Sequence, residues 1–385
     1  MASMFRIGLF LLLSSALTSP APVQGADYRV YVGTYTGPKS QGIYQFDFDS
    51  TTGTLSNREL SARTPSPSFL AIHPSGKFLY AANEVGNYEG KRTGFVSGFA
   101  IQPTSGLLEP INQQPSGGSD PCYVLVDPSG KNLLVANYSG GSLEVVPIAE
   151  GGKLEPPSCV IQHEGSSVDK GRQDGPHAHS IDLDASGKIA VSADLGLDKL
   201  MIYRLDPASG KLIPNARPYT TAIPGSGPRH FAFHPDGKHA FAINEMASTV
   251  TAFEYNPADG SLYATQTLST RDQFGKNENS TAEILVHPSG KFVYGSNRGD
   301  NSLAIYSVNP SSGRLTLVGH QGTGGKTPRS FGIDPAGKFL IAANQDSGSL
   351  VVFKIDEASG MLKPVGAPVE VPSPVCVKFL RLKSE

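Results

Sequence analysis

The chain has 385 residues, with 32 Lys and Arg against 34 Asp and Glu, a formal net charge of −2. That balance excludes a dedicated nucleic-acid binder, which carries a basic excess, and 38% hydrophobic residues exclude a disordered chain. Gly (43) and Pro (30) are abundant while charged residues make up 17%, a composition that favours many short strands and tight turns over helices. In chain order, residues 1–25 read as a secretory signal. Arg6 is followed by the apolar run Ile7–Ala16, then small residues and prolines, with a cut expected ahead of Ala26. The run is shorter than a bilayer span, so no membrane segment is expected once the signal is removed. Residues 26–385 then read as one domain of an exported, periplasmic or secreted protein.

From there the chain is a repeat. The turn [HD]-P-x-G-K starts at His73, Asp127, Asp184 (with Ala for Pro), His234, His287 and Asp334. A second turn, x-x-G-x-L, recurs seven times, from Gly53 to Gly360. The 307 residues between its first and last glycines make six intervals of about 51. In each unit, four runs rich in Val, Ile, Phe and Tyr are separated by turn residues, as at 69–72, 78–82, 96–101 and towards Gln113. Seven four-stranded units predict an all-β, seven-bladed propeller, with a series of sandwiches as the competing arrangement. The ends predict closure: Pro374–Leu382 resembles a first strand, and Tyr28–Tyr35, Gly42–Asp49 and Leu55–Leu60 resemble the remaining three. Cys122, Cys159 and Cys376 have no zinc or CxxC spacing and read as small buried apolar residues.

Propeller geometry converts the alignment into a candidate site, because the start of strand one and the end of strand two meet at one mouth of the central channel. Ten residues after each anchor stand Asn83, Asn137, Asp194, Asn244, Asn297 and Asn344. A residue that repeats in every blade reads as a loop fastener. The neighbouring positions vary from blade to blade, which is what a site requires. They bring His177, His179, Arg229, His230, Glu245, Glu283, Arg298, Arg329 and Gln345 towards one mouth. Arginines suit a carboxylate, phosphate or oxyanion, and a histidine can take a proton from water, with Glu245 to orient it or share the proton. His177 and His179 could ligate a metal, but no third ligand is indicated, so neither a metal nor a cofactor is expected. No nucleophile elbow and no phosphate-binding glycine loop is present.

The segments 172–188 (RQDGPHAHSIDLDASGK), 227–245 (GPRHFAFHPDGKHAFAINE), 280–299 (STAEILVHPSGKFVYGSNRG) and 328–345 (PRSFGIDPAGKFLIAANQ), with the opening 31–55, resemble the lactonase family of seven-bladed propellers. That family includes propeller-type 6-phosphogluconolactonases and the carboxy-muconate cyclases. The resemblance implies a hydrolase that opens a small sugar lactone. By the cyclase pattern it implies catalytic roles for His179 (or His177), Arg229, Glu245 and Arg298, leaving His230, Glu283, Arg329 and Gln345 to bind substrate. Export departs from the family's phosphorylated cytosolic substrate. A non-catalytic envelope propeller that binds a carbohydrate or protein, and a lactonising cyclase, are the alternatives.

Overall fold

The computed structural model describes residues 27–272 and 278–382; the expected signal at 1–25 lies outside them. Seven antiparallel sheets of four strands each form the blades of a β-propeller. Blades one to six take up residues 67–115, 121–162, 178–221, 228–269, 281–322 and 328–370 in chain order. Blade seven is composite: its inner strand is Pro374–Arg381, and its outer three are Tyr28–Thr34, Gly42–Asp49 and Thr54–Arg63. The closure expected from the two ends is therefore present.

Both repeated turns do the same work in every blade. The glycine of the [HD]-P-x-G-K turn has a positive φ of 67–74° in all six copies, a conformation that costs glycine little. The second turn's glycine is likewise left-handed, and a neighbouring blade's side chain packs against it: Phe78 on Gly152, Phe292 on Gly360 and Phe339 on Gly53. The apolar faces of adjacent sheets fill the space between blades, as where Val30, Phe46, Phe48 and Val377 of blade seven meet Phe339 and Val352 of blade six.

The inner strands carry the feature that shapes the site. Each has a register shift at its start, for instance between Pro121 and Tyr123 and between Pro228 and His230. A bulge sets two residues against one on the partner strand, which breaks the alternation of faces. Consecutive side chains such as Ser68 with Phe69, and Arg229 with His230, consequently line the same channel cavity. The repeated Asn/Asp positions are fasteners, all but unexposed. Asn137 Nδ2 donates to Ser116 O (2.7 Å) and Ser142 Oγ (3.1 Å), and Asn297 Nδ2 donates to Thr270 O (2.8 Å). Cys122 and Cys376 are buried as expected, whereas Cys159, on the short outer strand Cys159–Gln162, is half-exposed; all three are unpaired.

Candidate active site

At the mouth where inner strands begin, one carboxylate gathers three guanidinium groups. Glu245 Oε2 accepts from Arg229 Nε (3.0 Å) and is ion-paired with Arg298 Nη2 (2.9 Å), while Oε1 accepts from Arg172 Nη2 (2.7 Å). Against the pull of burial, Arg298, Arg229 and Arg172 hold the Glu245 carboxyl down to about 2. It is an anion at neutral pH and makes no hydrogen bond to either mouth histidine. The expectation that Glu245 would orient a histidine or share its proton is therefore corrected: its two oxygens are taken up by arginines, and it is their anchor.

The carboxylate that does pair with a histidine is Glu283. His230 Nδ1 lies 2.7 Å from Glu283 Oε1, and Arg229 Nη1 lies 3.1 Å from His230 Nε2. A guanidinium can only donate, so Nε2 presents its lone pair and Nδ1 carries the hydrogen that Glu283 accepts. Burial, opposed by Glu283 and reinforced by Arg229, lowers His230 to about 4, leaving it neutral at pH 7. These two residues, expected to bind substrate, form an oriented imidazole–carboxylate pair instead.

His179 is 4% exposed, with Nδ1 3.6 Å from Cys122 Sγ, and its Nε2 makes no hydrogen bond among the described residues. Burial first, then Arg229 and His230, push it well below the ordinary imidazole value, so it too is neutral. His177 is half-buried, stacked on Tyr138 at 4.5 Å with Nδ1 3.0 Å from Tyr138 O. The opposite side of the mouth is built from Tyr35, Glu84 and Arg329. The Tyr35 hydroxyl donates to Glu84 at 2.8 Å, and the Arg329 guanidinium lies over the Tyr35 ring at 5.2 Å and 4.0 Å from Glu84. Gln345 makes no side-chain hydrogen bond with this network; its backbone N–H goes to Thr327 O.

The arginines differ in what they can do. Arg229 is 2% exposed and committed to Glu245, His230 and Ala282 O (2.7 Å). Arg298 and Arg329 keep 16% and 17% of their side chains exposed. Arg172, 45% exposed, reaches in from the loop between strands Cys159–Gln162 and Ala178–Leu183. Sequence reasoning missed it, although that loop lies within the longest anchor spacing, 57 residues. Glu84 and Tyr138 were missed too, yet they occupy the same variable position as Glu245 and Arg298.

A cavity of about 10 Å³, room for one water, lies among Glu84, Cys122, Arg229, His230, Glu283 and Arg329. Below it Phe69 and Tyr123 stack at 4.2 Å, both edge-on to His230, and narrow the channel. A larger cavity of about 450 Å³ opens on the opposite face, walled mainly by apolar side chains with Asp182, Lys378 and Glu283, which also borders the small cavity. Size alone would favour that end. The convergence of arginines with two neutral histidines favours the other, because ring opening of an ester needs a base and a charge acceptor together.

The lactonase family model, described as a seven-bladed β-propeller, matches residues 29–379. A 6-phosphogluconolactonase of Bacillus subtilis (strain 168) is 38% identical over 354 residues, 92% of this chain and 98% of that protein. A 6-phosphogluconolactonase of Formosa agariphila is 36% identical over 311 residues, 79% of this chain and 86% of that one. The solved structure of the periplasmic gluconolactonase of Pseudomonas aeruginosa matches with a TM-score of 0.86 at 33% identity, covering 92% of this chain and 99% of its own.

Proposed function

The chain belongs to the lactonase family of seven-bladed β-propellers and is a lactone hydrolase; we propose that the arginine-rich mouth is where the ring is opened. The observation that carries this reading is a neutral histidine, His179, whose Nε2 has no hydrogen-bond partner among the described residues and whose ring lies in the field of the Arg229 and Arg329 guanidinium groups. In the proposed reaction, water gives a proton to His179 Nε2 as its oxygen bonds to the lactone carbonyl carbon. Arg298 and Arg329 hold the oxyanion that forms, with Arg172 closing over it. The tetrahedral intermediate collapses, the ring C–O bond breaks, and the leaving alkoxide takes the proton back from His179. The product is an open hydroxy acid. Arg229 and Glu245 hold the arginines in place, and His230 with Glu283 fixes the floor.

We further propose that the substrate is a sugar lactone and that the mature protein acts outside the cytoplasm. Residues 1–25 support export, and an exported enzyme meets unphosphorylated sugars, so a phosphate on the substrate is not required. A panel of aldonolactones with and without a 6-phosphate, run on the mature protein, tests this. His179→Ala is expected to lower kcat by about 100-fold or more, the range for losing a positioned base. Arg298→Ala, if that guanidinium holds the oxyanion, is expected to cost about 3 kcal/mol in kcat with little change in KM. Unchanged turnover in both folded variants would move the chemistry away from this mouth. Intact mass of the protein from its native host is expected to show a chain beginning near Ala26, and a full-length cytosolic form would refute export.

A further inference from the structure

The position five residues before each anchor opens the inner strand, and in blade two it holds Cys122, where the other blades place Ser68, His179, Arg229, Ala282 and Arg329. Cys122 is 5% exposed and lines the small cavity at the arginine mouth together with Glu84, Arg229 and Arg329. The reaction as drawn above gives this thiol no part. Yet its sulfur lies 3.6 Å from Nδ1 of His179, and among the described residues no other side chain is hydrogen-bonded to that nitrogen. The ring itself is held edge-on against Tyr138 and His230, each at 5.3 Å.

A neutral imidazole carries one hydrogen, and the bond made by one ring nitrogen decides what the other can do. For Nε2 to take a proton from water, the hydrogen must sit on Nδ1. A free neutral histidine prefers the reverse, with hydrogen on Nε2, so the protein has to impose the productive form. Cys122 has the means. Burial, reinforced by Glu84, pushes its thiol far above the ordinary value, so it keeps its hydrogen. That hydrogen has carbonyl acceptors at hand: His179 O at 3.4 Å, Ala178 O at 3.7 Å and Ala136 O at 3.8 Å. With the nearest carbonyl taking the S–H, the sulfur lone pairs are left to face Nδ1, which then supplies the hydrogen between them.

We propose that Cys122 is a positioning residue for lactone opening: accepting from His179 Nδ1 while donating to a backbone carbonyl, it holds His179 in the tautomer that offers Nε2 to water. This role rests on the reading of His179 as the base and extends it to a residue that does not itself enter the chemistry. The other blades show what a replacement would do. An alanine, as at Ala282, leaves Nδ1 without its side-chain acceptor in a buried place, whereas a serine, as at Ser68, still has one hydrogen to give and lone pairs to accept. The two substitutions separate the tautomer from the packing.

The test uses the mature protein with isotope-labelled histidine. Long-range proton–nitrogen spectra report which ring nitrogen carries the hydrogen, and the His179 signals are those absent from His179→Ala. The parent at pH 7 is expected to show hydrogen on Nδ1 and none on Nε2. Cys122→Ala, checked for fold by circular dichroism, is expected to shift the ring towards the Nε2–H form. It is also expected to lower kcat by about 10-fold or more with KM near the parent value, because a base in the wrong tautomer cannot take the proton. Cys122→Ser is expected to restore the tautomer and most of kcat. Hydrogen on Nε2 in the parent, or a parent-like tautomer in Cys122→Ala, would overturn the proposal. Should the tautomer move as expected while His179→Ala turns over lactone as fast as the parent, it is His179 as the base that fails, and with it the part of Cys122 in the reaction.

Discussion

A single buried carboxylate, Glu245, decides how the mouth is charged. Converting it to Gln keeps its shape but leaves Arg229, 2% exposed, beside Arg298 and Arg329 with no shared anion. Breaking a buried pair from one side costs about 3–5 kcal/mol, so Glu245→Gln is expected to lower the urea midpoint strongly at pH 7. A variant as stable as the parent would contradict the anchoring role. The histidines set the pH response. Unfolded His230 takes a proton near 6.5, the folded one only near about 4, so between these values the unfolded state holds more protons. Stability contributed by neutral His230 is therefore present above 6.5 and lost as pH falls through that window; His179 acts in the same direction. Glu245 extends the loss from 4.5 towards about 2. For catalysis, a base held below its ordinary value stays unprotonated in mild acid. The acid limb of kcat/KM is expected well below 6.5, and a midpoint at 6.5 would exclude His179 as the base.

Among the elements, the strand-and-turn unit was legible because its chemistry repeats: a proline, a left-handed glycine and an Asn fastener recur at fixed offsets. The site was legible as a set of positions, since residues that vary where everything else repeats stand out. Its internal pairing was not. Which carboxylate meets which histidine depends on the bulge at the head of each inner strand, and no residue type marks that bulge. Two consecutive side chains enter the channel there, so Arg229 reaches Glu245 while its neighbour His230 reaches Glu283 one layer down. Arg172 escaped notice because it comes from a loop outside the repeat. Fastener and site separate experimentally. Asn137→Ala removes the donor to Ser116 O and Ser142 Oγ and is expected to cost about 1–3 kcal/mol, as for a buried group left unpaired. Lactone kcat and KM should stay near the parent values, and a large kcat loss in a folded Asn137→Ala protein would make the ring of fasteners part of the site.

For the whole molecule, everything at the mouth depends on ring closure, since its ionised groups come from blades all round the channel. Tyr35 follows the N-terminal strand of blade seven, Glu84 leaves blade one and Arg329 enters blade six, yet the three meet. The closing strand Pro374–Arg381 makes that meeting hold. It pairs with Tyr28–Thr34 from Tyr28 opposite Arg381 to Thr34 opposite Pro374, and buries Val375, Cys376 and Val377. A chain ending at Ser373 loses those apolar contacts, worth roughly 1.5–3 kcal/mol per large side chain. It also bares the backbone groups of a strand that has no other partner on that side. Together these losses rival the whole stability of an ordinary domain, about 5–15 kcal/mol. The truncated chain is expected to lose its cooperative melt and its lactonase activity together, because an open ring spreads Arg329 and Glu84 away from Glu245. Adding the missing strand back as a peptide should restore part of both signals. A truncated protein that melted within a few degrees of the parent would show that the six intact blades hold the ring closed by themselves, and the composite blade would then be a consequence of closure and not its cause.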